Sequence, residues 1–210
     1  MENNEVMFNE YELDQIKEVI NIGASHSSTA LSQLVNKKVI ISVPEITIDK
    51  VENISNIIGD NEKVVTAILL NVLGDAPGNI VFMFTHDDAT RNFIKLISNK
   101  EESKAQYLDE FDLSILKETG NILAGASLNA LSVFLGASII QSVSESITDM
   151  LGSIVNTIMG EIGQRSSTAI ICRVTFEIEG EDVKNPELYY FIDPKATGKI
   201  LEMIKKKLGA

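Results

Sequence analysis

Three polar residues near the start of the chain recur one hundred residues later with unchanged spacing. The two sets are Asp14, Glu18 and Asn21, and Ser114, Glu118 and Asn121. When residues 11–45 are laid over residues 111–145 without a gap, fourteen of thirty-five positions are identical, whereas ordinary residue frequencies would give about two. The chain is therefore internally duplicated, and its fold must be built from two similar halves.

Each copy predicts a long helix with one polar face. In the first copy, Asn9 and Glu12 have the spacing of a capping box at the start of the helix. Asn36 is expected to end the helix by adopting the left-handed backbone conformation. The corresponding signals in the second copy are Asp109, Asp112 and Gly136. At 100° per residue, the polar face holds Asp14, Glu18, Asn21, Ser25, Ser28 and Ser32 in the first copy, and Ser114, Glu118, Asn121, Gly125 and Ser132 in the second. We expect the acid and the amide of each set to point outward.

A glutamate and an asparagine at positions i and i+3 project side by side from a helix. An amide is no general base at neutral pH, but it offers a donor and an acceptor and can fix a water molecule in line with a phosphoryl group. Phosphoryl transfer depends mainly on such positioning and on charge stabilisation. One such pair is ordinarily just solvated surface. Its presence in both copies favours a functional role on a substrate that brings its own metal ion.

The segments around these residues resemble the two signatures of the CheC family of chemotaxis phosphatases. They are EVINIGA at residues 18–24, STALS at 28–32, KVIISVP at 38–44, ETGNIL at 118–123 and LNALS at 128–132. Both halves carry a signature, so the chain resembles CheC more than CheX, a relative with one signature per chain. Ser144 departs from the family pattern, which often has a proline there, as at Pro44.

The resemblance implies a substrate, a mechanism and partners. The substrate would be the response regulator CheY, phosphorylated on an aspartate and carrying its own Mg²⁺, so the chain would need no cofactor or metal of its own. The catalytic residues would be Glu18, Asn21, Glu118 and Asn121. Each glutamate would pair with the regulator's lysine and each asparagine would place the attacking water, while Asp14 and Ser114 would assist docking.

The remaining pattern predicts an α+β fold with two α-β-β-β-α halves, over about residues 10–100 and 108–208 of a single domain spanning 1–210. Strands are predicted at 38–48, 64–73 and 79–85 and then near 138–143, at 167–179 and at 187–193, with helices at 87–100 and 194–208. Pro44 interrupts the first strand, which indicates an edge position or a bulge. We expect the strands to share one sheet and the two long helices to lie exposed along one side.

Residues 147–162 predict an amphipathic helix, with Met150, Ile154, Ile158 and Ile162 on one side. Methionines at helical spacing more often belong to a core than to a docking surface. The resemblance implies that a helix in this region binds the receptor deamidase CheD, which makes Met150, Ile154 and Ile158 candidate contacts.

Composition excludes several classes of function. A formal net charge of −12 argues against nucleic-acid binding, which needs a basic surface. The one cysteine, Cys172, allows no intrachain disulfide and is expected to be a buried thiol. The only histidines, His26 and His86, fit no metal-binding or triad spacing. Without an apolar run of 18 residues or a signal sequence, we expect a soluble, cytoplasmic monomer.

Two further interpretations remain open beside the phosphatase. The chain could act mainly as a binding module for CheD or phosphorylated CheY, with weak catalysis. It could also be the phosphatase part of a flagellar switch protein such as FliY, although its length leaves no room for an additional C-terminal switch domain.

Overall fold

Among the described residues, eight strands form one antiparallel sheet with helices on both faces. The structure is a computed structural model that describes residues 8–42, 44–98, 108–164, 166–181 and 187–208. The first half contains α1 (Glu10–Val35), β1 (Val39–Ile41), β2 (Glu45–Lys50), a 3-10 turn (Val51–Asn53), α2 (Ile54–Ile58), β3 (Val64–Gly74), β4 (Gly78–Thr85) and α3 (Asp88–Ser98). The second contains α4 (Glu110–Leu135), β5 (Ile139–Gln141), β6 (Glu145–Met150), α5 (Leu151–Gly163), β7 (Thr168–Ile178), β8 (Glu187–Ile192) and α6 (Pro194–Leu208). The α+β class is confirmed, but the described part of each half contains four strands rather than the predicted three, with a further helix (α2 or α5) between the second and third strands.

The sheet separates two cores because successive strand residues point to opposite faces. The larger core lies under α1, α4 and α6; from β8 it receives Leu188, Tyr190 and Ile192. The smaller core lies under α2 and α5 and receives Tyr189 and Phe191 from the same strand. Cys172 is fully buried in the larger core, as predicted, and burial raises the pKa of its thiol to about 12.

The two halves exchange strands across the sheet. The order is β1-β7-β8-β4-β3-β5, with β2 continuing β1 along β7 and β6 continuing β5 along β3. The first strands of each half therefore pair with a strand of the other half. They also form the two edges of the sheet, in agreement with the edge position that Pro44 indicates.

A bulge interrupts each edge at the same point of the repeat. Ile41 lies opposite Phe176 and Glu45 lies opposite Arg173, so the register advances by four residues in the first half and by three in β7. Ser42 holds this bulge, because its backbone N–H donates to the carbonyl of Thr175 and its Oγ accepts from the Thr175 N–H, both at 2.9 Å. Pro44 indicates an edge position or a bulge, and this segment has both.

Ser142 forms the same pair of bonds in the second half. Its N–H donates to the carbonyl of Asn71 at 2.9 Å, and its Oγ accepts from the Asn71 N–H at 3.0 Å. The serine shared by the two copies thus has a structural explanation.

The interpretation of residues 147–162 as one helix is wrong at its start. Residues 145–150 form β6, so Met150 ends a strand and is 50% exposed. The helix α5 begins at Leu151, and Ile154 and Ile158 are each only 3% exposed, in the smaller core. The apolar side of this helix covers the sheet of its own chain and is closed to a docking partner.

None of the helices in the described part of the chain is both long and apolar enough to span a bilayer.

Candidate functional site

The helix α1 carries the first polar set, and a capping box fixes where it begins. The Oδ1 of Asn9 accepts from the Glu12 N–H at 2.9 Å, and the Glu12 carboxylate accepts from the Asn9 N–H at 3.2 Å. The helix ends at Asn36, whose φ of 50° is left-handed as predicted. Between these ends, Glu18 is exposed and Asn21 is half-buried, so an acid and an amide share the outer face.

The helix α4 repeats this arrangement in the second half. Its capping box joins Asp109 and Asp112 by hydrogen bonds of 2.8 and 3.2 Å. The helix ends at Gly136, whose φ is 63°. Glu118 is exposed and Asn121 is half-buried. The two sets therefore have the same degree of exposure.

The two helices cross in opposite directions over the larger core. A Cβ built on Gly23 would lie 2.4 Å from the Oγ of Ser127, while the Ser27 hydroxyl donates to the Leu123 carbonyl at 2.8 Å. The residue order along α4 is thus the reverse of that along α1. Ser127 also bonds to the Tyr190 hydroxyl at 2.7 Å, which ties the crossing to the central strand β8.

This crossing separates the two polar sets. Each set precedes the crossing on its own helix, so the antiparallel arrangement places the sets at opposite ends of the helix pair. In addition, α1 contacts β1 and α4 contacts β5, which are opposite edges of the sheet. The structure brings Glu18 together with Asn21, and Glu118 with Asn121, but it does not combine the four residues into one site.

An open depression adjoins the second amide. Its lining residues are Lys117, Asn121, Gln141, Ser142, Val143 and Ser144. The bulge between β5 and β6 therefore forms one side of the second site, and α4 forms the other. A Cβ built on Gly125 would be 3.7 Å from the Gln141 Oε1, so α4 lies close to a polar side chain at this glycine.

The proposed docking residues differ between the halves. Asp14 is exposed and lies 4.0 Å from the Lys17 ammonium, which is a weak surface pair. Ser114 is also exposed, and its hydroxyl donates to the Phe111 carbonyl at 2.7 Å. Both positions can reach a partner.

Two features of the sites were not predicted. Ser28, assigned to the polar face, is buried, and its hydroxyl donates to the Val39 carbonyl at 3.0 Å. Gln141 and Lys117 were not identified beside Asn121. Lys117 could have been identified from the sequence, because the equivalent residue of the first copy, Lys17, is also a lysine. Gln141 could not, because the equivalent residue of the first copy is Ile41.

Known proteins resemble the chain in sequence. Residues 12–48 match the model of the CheC-like family. The CheY-P phosphatase CheC of Bacillus subtilis strain 168 is 32% identical over 163 residues, which cover 77% of this chain and 78% of that protein.

Solved structures resemble it in fold. FliY of Thermotoga maritima superposes with a TM-score of 0.79 at 22% identity, covering 96% of this chain and 100% of that one. CheX of Borrelia burgdorferi, crystallised in a complex with CheY, BeF3 and Mg²⁺, has a TM-score of 0.53 at 15% identity and covers 84% of this chain and 98% of that one. The shared sequence over most of both chains and the common fold show that this protein belongs to the CheC family.

Proposed function

We propose that this chain is a phosphatase that hydrolyses the phospho-aspartate of the response regulator CheY in chemotaxis. The observation that carries the proposal is the repeated acid and amide. Glu18 with Asn21, and Glu118 with Asn121, lie on the outer faces of equivalent helices with equal exposure. The CheY-P phosphatase activity named for the Bacillus subtilis relative supports the same substrate.

In the proposed reaction, each helix inserts its amide beside the phosphoryl group of the regulator. The asparagine orients a water molecule in line with the phosphorus, and the glutamate pairs with the regulator's lysine. The regulator supplies the Mg²⁺ that neutralises charge on the phosphoryl oxygens, so the chain contributes positioning. Water attacks phosphorus, the bond to the aspartate oxygen breaks, and inorganic phosphate leaves.

The exposure of the two pairs suits such an insertion. A carboxylate that remains in water incurs little desolvation cost before its partner arrives, and it can attract a cationic side chain. A half-buried asparagine has fewer accessible rotamers than an exposed one and loses less side-chain entropy when it is fixed. The pair therefore combines a mobile charge for docking with a more constrained amide for orientation.

The test is the decay of phosphorylated CheY with the wild-type chain, Asn21→Ala, Asn121→Ala and the double variant. We expect each single variant to retain the part of the phosphatase activity that the other, unchanged site provides. The double variant should lose acceleration by about 100-fold or more, as removal of one positioned hydrogen-bonding group typically does. Asn129→Ala is the matched control, because Asn129 is an exposed asparagine on α4 outside the pair.

Undiminished decay with the folded double variant would refute the catalytic assignment. If that variant still bound phosphorylated CheY, the binding-module interpretation would take its place. Glu18→Gln and Glu118→Gln should instead raise KM more than they lower kcat, because the lost interaction is a charge pair made on docking.

We also propose that CheD binds at α5 and modulates the activity, as the family resemblance implies. Ile154 and Ile158 cannot contact it, because both are buried. The accessible contacts in this region are Met150 and the exposed polar side of α5, which includes Asn156. Asn156→Arg should abolish co-elution with CheD and leave the decay of phosphorylated CheY unchanged, and retained co-elution would refute this location.

A further inference from the structure

Gln141 is a polar side chain held beneath α4 at the second site. It lies on β5 opposite Val72, which belongs to the larger core, and residues directly opposite on antiparallel strands point to the same face. The side chain is therefore directed toward the helices. There it lines the same depression as Asn121, and both of its terminal atoms lie within 3.8 Å of a Cβ built on Gly125.

The carbonyl oxygen of this side chain has no hydrogen-bond partner. Its Oε1 is buried, and within the described part of the chain no donor reaches it. A buried carbonyl without a donor is unfavourable and rare in folded proteins. The packing of this edge does not require an amide, because the equivalent residue of the first half is Ile41, which packs against the larger core.

The neighbouring residues keep this amide next to the site. Gly125 presents no side chain over it, whereas the first half has Ser25 at the equivalent position. The bulge fixes the end of β5, because Ser142 bonds twice to the backbone of Asn71. Gln141 is thus anchored at its backbone, and its amide lines the same depression as Asn121.

We propose that Gln141 is a positioning residue of the second site and acts through Asn121. When the site is occupied, its Oε1 accepts a hydrogen bond from the Asn121 Nδ2. This bond holds the Asn121 amide in one orientation, with its Oδ1 left to accept from the attacking water. The first site works without this support, because the side chain of Ile41 has no hydrogen-bonding atom. The inference rests on the proposed phosphatase function and deepens it.

The experiment isolates each site before changing residue 141. In the Asn21→Ala chain only the second site is complete, and there Gln141→Ile, the residue of the first half, should lower kcat by about 10-fold to 100-fold with KM within about twofold. Gln141→Met, which matches the length without an acceptor, should behave like Gln141→Ile. Gln141→Glu, which retains an acceptor oxygen, should keep more of the activity than Gln141→Met.

The matched control is Gln141→Ile in the Asn121→Ala chain, in which only the first site is complete. Its rate should equal that of Asn121→Ala alone, and its urea midpoint should match that of the same substitution in the other background. An unchanged kcat in the Asn21→Ala background, or an equal loss in both backgrounds, would overturn the positioning role. Failure of the phosphatase proposal is visible separately, because the two parent variants would then show no acceleration before residue 141 is changed.

Discussion

Replacing Gly23 by alanine tests how closely α1 and α4 approach each other. A Cβ at this position would lie 2.4 Å from the Ser127 Oγ and 3.2 Å from the Leu131 Cγ. Ser127 cannot rotate away without loss, because its hydroxyl bonds to the buried Tyr190 hydroxyl at 2.7 Å. The methyl group is therefore expected both to strain the contact between the helices and to break that bond.

The expected magnitude follows from three contributions. Overpacking of a well-packed core costs about 1–3 kcal/mol, and loss of the Ser127–Tyr190 bond costs about 1 kcal/mol. Alanine recovers about 1 kcal/mol through its higher helix propensity. The free energy of unfolding should fall by about 1–3 kcal/mol, and a loss of 2 kcal/mol corresponds to a fall of about 4–8 °C in Tm for a chain of this size.

The assay is urea unfolding followed by circular dichroism, with Gly160→Ala as the matched control. Gly160 lies within α5, and nothing lies within 4 Å of a Cβ built there. The same substitution should raise the free energy of unfolding by about 0.5–1 kcal/mol through propensity alone. If Gly23→Ala were as stabilising as Gly160→Ala, the close approach of the two helices would be refuted.

Further predictions concern the bulge and the buried thiol. Ser142→Ala removes the acceptor of the Asn71 N–H in an exposed hydrogen bond and should lower the free energy of unfolding by about 0.5–1.5 kcal/mol, and an unchanged urea midpoint would contradict this. Cys172 should resist alkylation at pH 8 until urea unfolds the chain, because burial raises its pKa to about 12. Above about pH 9 the unfolded thiol releases a proton that the folded one keeps, so stability should fall by about 1.4 kcal/mol per pH unit. Cys172→Ala should remove that part of the slope.

The sequence was informative wherever the determinants were local. The capping residues Asn9 and Asp109 gave both helix starts correctly, because a cap depends on a side chain and an N–H three residues away. The strands β3 and β4 were also predicted, since each is a continuous run of mostly apolar residues. The acid and amide faces followed from helical periodicity alone.

The errors arose where distant segments decide the outcome. Residues 145–150 form β6 because they pair with β3 of the other half. The repeat offered a signal that was not used, because residues 45–48, one hundred positions earlier, belong to a predicted strand. Ser28 is buried, and its hydroxyl donates a hydrogen bond to a carbonyl eleven residues away. Gln141 acquires its place beside Asn121 only when the edge strand packs under α4. Such contacts depend on topology, which residue frequencies and spacing do not encode.

The exchange of edge strands has a consequence for the independence of the halves. Either half alone would lack the partner of its first two strands, and β7 or β3 would expose a row of unpaired backbone groups. We therefore expect a single half to be stable only when a second copy supplies the missing pairing, as a strand-exchanged dimer. In these terms the two linked halves correspond to such a dimer joined covalently, and each half can change its sequence while the other keeps its own.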